Sequence, residues 1–190
     1  MTRIAVVLAD GCEEIEALTP IDVFRRLGIE TTIVGLTSLT VTGAHQIPLT
    51  AQETLTSGLV DYDCVVFPGG SVGAANLRDS DELMKLMRAR QQAGKWNAAM
   101  CAAPLAFARY GLLDGHRFTC YPGVEEEIAK TNPAATFDPA ITVVDEAGHL
   151  ITSRGPATAL AFAYRIAQTL GVATADLEDG MLYTYLKQNI

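Results

Sequence analysis

Chemistry in this chain concentrates on Trp96-Asn97-Ala98-Ala99-Met100-Cys101-Ala102-Ala103-Pro104, an apolar run that stops at a cysteine followed by small residues and a proline. The pattern reads as a strand, a sharp turn and the start of a helix. In an elbow of this kind the nucleophile sits on a strained turn, and the residues two before and two after it must be small for the chains to pass. Ala99 and Ala103 meet that condition. Pro104 suits a first helical turn, where the N–H it lacks would have had no intrahelical partner. A helix starting under Cys101 turns its positive end to the sulfur and favours the thiolate, the nucleophilic form. Taken alone, the same run also fits a buried core cysteine.

Two other stretches could serve such a nucleophile. Asp10 to Glu16 brings the carboxylates of Glu13, Glu14 and Glu16, and Pro68 to Gly73 brings glycines whose backbone N–H groups can be exposed. A thiolate, a proton carrier and an oxyanion hole are the minimum for covalent chemistry on a carbonyl. Each part has a plainer use as well. Glutamates at a helix start complement its dipole, and the glycine loop lacks the Gly-x-x-x-x-Gly-Lys form of a phosphate loop. Of His45, His116 and His149 none stands beside Cys101 in the sequence, and the last two follow turn glycines as surface residues do. A cysteine-histidine hydrolytic pair is therefore not visible.

The elements that must position these residues alternate. Ile4-Ala5-Val6-Val7-Leu8 is a continuous apolar run, as expected of a parallel strand covered on both faces. A helix follows from Glu14 to Leu27, with Pro20 predicting a kink or a delayed start, and Thr31 to Leu36 is a second strand. Thr40 to Gln52 suggests a small hairpin or edge excursion, and Asp63 to Phe67 a buried strand running into the glycine loop. A capped helix around Leu83 to Met87 ends at Gly94, and the elbow strand comes next. Beyond it lie a strand at Arg117 to Cys120, a short helix at Val124 to Lys130 and a hairpin around Asp145 to His149. Helices at Thr158 to Leu170 and Ala175 to Tyr185 close the chain. This order is that of a doubly wound sheet, where ligands bind outside the carboxyl ends of the strands.

Composition limits the partners. The 190 residues, 49% hydrophobic and 19% charged, fit one globular domain spanning 1–190. A net charge of -8 without any basic run argues against nucleic acid held through its phosphates. No apolar run reaches the roughly 20 residues of a membrane span, and Met1-Thr2-Arg3 leads straight into a strand, so no membrane partner and a cytoplasmic location are expected. Cys12, Cys64, Cys101 and Cys120 are scattered, indicating neither a zinc site nor a disulfide framework.

Gly11-Cys12-Glu13-Glu14-Ile15-Glu16, Asp22-Val23-Phe24-Arg25-Arg26, Phe67-Pro68-Gly69-Gly70, Ala99-Met100-Cys101-Ala102-Ala103-Pro104 and Thr152-Ser153-Arg154-Gly155-Pro156 stand in an order and spacing that resembles the ThiJ/PfpI superfamily. The likeness covers nearly the whole chain and is strongest to the parkinsonism-associated DJ-one branch and its bacterial relatives. It implies a flavodoxin-like α/β sandwich, a doubly wound, mostly parallel sheet with a cysteine nucleophile elbow, assembled as a homodimer. It further implies Cys101 as nucleophile and oxidation site, Glu16 as the carboxyl group bonded to it, and backbone N–H groups of Gly69, Gly70 and Ala102 at the oxyanion position. Ser153, Arg154, Pro156 and Tyr121 are the expected pocket lining.

The implied activity is that of a glyoxalase or deglycase acting on small dicarbonyls such as methylglyoxal without glutathione, metal or organic cofactor. The competing expectation is a non-catalytic oxidative-stress sensor or redox-regulated chaperone working through oxidation of Cys101. In either case Cys101 oxidises before Cys12, Cys64 and Cys120, with Cys12 as the candidate resolving thiol. Three departures from the family pattern stand out. Tyr121 precedes Pro122 where many relatives have histidine, Ala102 follows the cysteine where protease-like and chaperone-like branches tend to have histidine, and the hairpin around Ala44 lacks an arginine that some relatives place at the dimer interface. The second departure disfavours peptidase activity.

Overall fold

The computed structural model describes residues 1–189, and its elements follow the apolar runs of the sequence. In chain order they are β1 (Arg3–Leu8), α1 (Glu14–Arg26), β2 (Glu30–Gly35), β3 (Thr40–Thr42), β4 (Pro48–Thr50), β5 (Glu53–Thr54), β6 (Cys64–Phe67), α2 (Ser71–Asp79) and α3 (Asp81–Gln92). After these come β7 (Trp96–Met100), α4 (Pro104–Tyr110), β8 (Arg117–Phe118), α5 (Val124–Thr131), β9 (Thr136–Phe137), β10 (Thr142–Asp145) and β11 (Leu150–Ser153). Helices α6 (Ala159–Thr169), α7 (Ala175–Gly180) and α8 (Tyr183–Asn189) complete the described chain.

The central sheet has seven strands in the order β10-β11-β7-β6-β1-β2-β5. Its pairs are parallel except for the antiparallel hairpin β10/β11. Along β1 the side chains alternate between two buried clusters: Ile4, Val6 and Leu8 face α1 and α6, whereas Ala5 and Val7 face the side covered by α3, α4 and α5. Burial on both faces explains why the strand reads as one apolar run. The core residues Phe24, Phe67, Phe107 and Phe162 are fully buried, each stabilising the fold by about 1.5–3 kcal/mol. The expected excursion at 40–52 is a separate antiparallel pair, β3 with β4. No helix among the described residues is long and apolar enough to cross a membrane.

Three local expectations are corrected. The glycine stretch leaves its loop form at Ser71, where α2 begins, and Gly73 is helical. A Cβ there would come 2.7 Å from the Cα of Cys12, so glycine lets α2 lie against the loop after β1. The last helix is broken in two, with Met181 capping α7 and Leu182 in a left-handed turn at φ 59°. Finally, α1 starts at Glu14 and continues through Pro20; the missing N–H leaves the Glu16 carbonyl without its usual helical partner.

The chain leaves β1 toward β2 and later returns to β6 on the other side. The loops after β1 and β6 meet at the carboxyl edge, where the Glu13 N–H donates to the Gly69 carbonyl and the Gly73 N–H to the Gly11 carbonyl. With β7 next to β6, the turn carrying Cys101 reaches the same edge.

Candidate active site

Cys101 occupies the turn between β7 and α4 with φ 60°, a left-handed conformation that costs a non-glycine residue of order 1–3 kcal/mol and persists only where neighbours over-determine it. Two hydrogen bonds do so. The Cys101 N–H donates to the Ser153 carbonyl at 3.0 Å, and the Tyr121 N–H donates to the Cys101 carbonyl at 3.0 Å. The small neighbours Ala99 and Ala103 are fully buried against the turn.

Glu16, in the first turn of α1, is fully buried. Its Oε2 accepts the Gly69 N–H at 2.7 Å, while Oε1 has no hydrogen-bond partner among the described residues. Gly69 is what allows thiol and carboxyl to meet: a Cβ on it would lie 2.6 Å from the Cys101 Cβ and 2.7 Å from Glu16 Oε2. Its carbonyl accepts the Glu13 N–H at 3.0 Å, tying the loop after β6 to the start of α1. Gly70 follows at φ 86°, with its own missing Cβ leaving room for the backbone of Gly11 and Glu13.

These contacts correct the expected oxyanion hole. The Gly69 N–H is committed to Glu16, whereas the backbone amides of Gly70 and Ala102 lie beside the Cys101 sulfur and lower its pKa. Two amides, rather than the three expected, therefore remain beside the sulfur. The pocket lining is also corrected in part. Tyr121 and Pro156 line a cavity of about 390 Å³ that contains Cys101, Glu16, Glu13 and His45. Ser153 is buried under the turn, its hydroxyl donating to the Ile141 carbonyl at 2.7 Å and sharing a bond with Thr158. Arg154 points elsewhere, donating to the Pro139 carbonyl at 3.2 Å and covering the Phe137 ring.

Electrostatics revise the expected thiolate. Burial, followed by the facing Glu16 carboxylate, pushes the Cys101 thiol up to about 12 despite the lowering by the Gly70 and Ala102 amides. Burial also raises Glu16, to about 7, against the opposing Gly69 N–H bond and the lowering effect of the nearby Cys101 thiol. The sulfur and carboxyl group thus keep a proton between them through neutrality. A proton moved from the sulfur onto Glu16 would remove the carboxylate that opposes the thiolate. All four cysteines are raised to about 12; access, not acidity, separates them, since Cys101 alone is not buried.

His45 is the site residue that sequence spacing missed. The hairpin β3/β4 brings it to the cavity, where its Nδ1 stands 2.8 Å from Glu14 Oε2 and 3.6 Å from Glu13 Oε2. Its backbone N–H also donates to Glu14 at 2.7 Å. The Glu14 partnership, then the nearby Glu13, holds the imidazole pKa above its ordinary value. Although burial opposes it, the same bond holds the Glu14 carboxyl below its own. Glu13, Glu14 and His45 are the one group among the described residues with three ligand atoms close enough for a metal, all within 4.8 Å. Their atoms are already paired with one another as an ion-pair cluster.

The profile of the DJ-1/PfpI family matches residues 2–169. Protein dj-1beta of Drosophila melanogaster is 35% identical over 184 residues, covering 95% of this chain and 96% of its own. Its crystal structure superposes with a TM-score of 0.87 at 33% identity, over 95% of this chain and 97% of that one. Protein DJ-1 homolog B of Arabidopsis thaliana is also 35% identical, over 88% of this chain, but this chain spans only 38% of that longer protein. The glutathione-independent glyoxalase DJR-1.2 of Caenorhabditis elegans is more distant, 27% identical over 85% of this chain and 84% of its own.

Proposed function

Because the chain belongs to the DJ-1/PfpI family, we propose that it is a cofactor-independent glyoxalase that converts small 2-oxoaldehydes such as methylglyoxal into 2-hydroxy acids without glutathione, with related deglycase activity on early sugar-type adducts. The observation that carries this reading is the buried Glu16 carboxyl group, held at one oxygen by Gly69 and unpartnered at the other, beside the half-buried thiol of Cys101. A carboxyl group with its pKa near the working pH is suited to accept and return a proton.

In this mechanism the Cys101 proton passes to Glu16 and the sulfur adds to the aldehyde carbon. The new oxyanion forms against the Gly70 and Ala102 amides and takes the proton back from Glu16, giving a hemithioacetal. Glu16 then removes the hydrogen from that carbon and delivers it to the neighbouring one through an enediol, while the hydroxyl proton passes from the first oxygen to the second. The first carbon is oxidised to a thioester and the second reduced to an alcohol, so no outside oxidant is needed. Water cleaves the thioester, releasing the hydroxy acid and restoring the thiol. The test is lactate formation from methylglyoxal with no added thiol, comparing wild type with Cys101→Ser. Absence of turnover in a folded wild type removes the reading.

A second reading, a redox sensor or redox-regulated chaperone, is supported by the single accessible thiol. Cys12 is fully buried and packed beneath α2, which weighs against its reaching Cys101 as a resolving thiol. Peroxide treatment followed by mass spectrometry should therefore find sulfinate at Cys101 before any change at Cys12, Cys64 or Cys120. We also propose that the chain pairs with a second copy. Exposed Ile15 and Leu18 on one side of α1, with Ile47 and Val72 nearby in the hairpin and α2, supply apolar surface for such a contact. Light scattering at micromolar concentration should give twice the chain mass; a monomer overturns the pairing.

A further inference from the structure

Charge around the Cys101 cavity is lopsided. Among the described residues lining it, the ionisable groups besides Cys101 and Tyr121 are Glu13, Glu16 and His45, and neither lysine nor arginine is present. The one cation, His45, is already engaged: its Nδ1 lies 2.8 Å from one carboxylate, Glu14, and 3.6 Å from a second, Glu13. Even a protonated imidazole between two carboxylates leaves the mouth negative. The Glu13 side chain is only 14% exposed, so its charge acts across a partly enclosed space where screening by water and salt is reduced.

We propose that this cavity selects uncharged 2-oxoaldehydes over those carrying a carboxylate or phosphate, and that Glu13 is the specificity-determining residue; the substrate class rests on the glyoxalase reading above. An anionic tail entering the cavity gives up its hydration beside Glu13 with no free cation to replace it. The same charge has a second effect on the cycle. The reaction turns an uncharged substrate into a carboxylate, so the field that excludes anionic substrates also drives product out.

Two measurements test this, both on full-length protein at low ionic strength. The first compares kcat/KM for 4,5-dioxopentanoate and its methyl ester, which share the reacting carbons and differ in one charge. The ester should be preferred by about tenfold or more, and the preference should shrink to within about threefold in Glu13→Gln. The second needs no turnover: the rates at which iodoacetamide and iodoacetate alkylate Cys101 are each divided by the rate of the same reagent with free glutathione. The neutral reagent should be favoured at Cys101, and Glu13→Gln should narrow the ratio. Thiol ionisation cancels, because both reagents meet the same sulfur. If ratios in wild type and Glu13→Gln are equal, or the anionic compounds are preferred, the proposal is overturned. If no 2-oxoaldehyde is turned over while the alkylation ratio responds to Glu13, the glyoxalase reading fails and the charge selection stands.

Discussion

Two ionisable side chains lie fully buried at opposite ends of the central strands, Arg90 beneath the start of β7 and Glu16 beyond its end. Each of the three guanidinium nitrogens of Arg90 donates at least one hydrogen bond. Together they donate to the carbonyls of Leu59 at 2.8 Å, Tyr62 at 2.7 Å and Trp96 at 2.8 Å, and to the Asn97 side chain at 2.9 Å, with a longer bond to Val60. Burial lowers its pKa to about 10, which leaves it charged at neutral pH. Glu16, by contrast, has one oxygen satisfied and one left over, and its pKa falls where it can change state. A buried charge with every polar atom partnered is a fixture of the fold. One with a bond withheld is poised for chemistry.

Four substitutions separate the two cases. Cys101→Ser and Glu16→Gln should each lower methylglyoxal turnover about a thousandfold with the fold retained, checked by kcat and circular dichroism. Retention of near wild-type kcat in either would erase the distinction drawn for Glu16. Arg90→Met should instead cost about 3–5 kcal/mol by stranding several carbonyls, lowering Tm by about 10 °C, while kcat per folded molecule stays within about twofold of wild type.

The third effect reverses sign with respect to ordinary mutations. The folded pKa of Glu16 is raised from 4.5 to about 7, so the folded state holds a proton that the unfolded state gives up between those values. Folding is therefore penalised progressively as pH rises through this window, by up to about 3 kcal/mol above it. Glu16→Gln should be more stable than wild type at pH 8, with the gain gone at pH 4.5; thermal melts at both values decide it. The smallest effect is Gly69→Ala, whose methyl would crowd the Cys101 Cβ and Glu16 Oε2. It should cost about 1–3 kcal/mol and lower kcat through displacement of the pair, read from melting and turnover together.

The contrast between the two ends also marks what the sequence can reveal. Strands such as Ile4 to Leu8 announce themselves because burial on both faces demands unbroken apolar residues, and the elbow shows in the small residues flanking Cys101. Arg90 sends no such signal: on an amphipathic helix an arginine is ordinarily solvated, and only the carbonyls of distant segments make its burial tolerable. His45 is hidden for the same reason, since Glu14 lies 31 positions earlier. The direction of an amide is likewise invisible, which is why Gly69 looks equivalent to Gly70 in the sequence although its N–H serves Glu16. Ser153 and Arg154 sit in a motif adjacent to the site, yet their side chains brace the turn after β11 and pack against Phe137.

The left-handed turn at Cys101 is fastened by residues 20 and 52 positions farther along the chain, Tyr121 and Ser153. The Cys101 turn is thus assembled from distant parts of the chain, and its backbone is not pinned until β11 has docked on β7. A chain that has emerged only as far as α4 carries Cys101 without these two bonds to hold its backbone. The backbone of this turn consequently reports completion of folding, and protection of the Cys101 and Tyr121 amides from hydrogen exchange during refolding should lag helix formation and coincide with closure of the sheet.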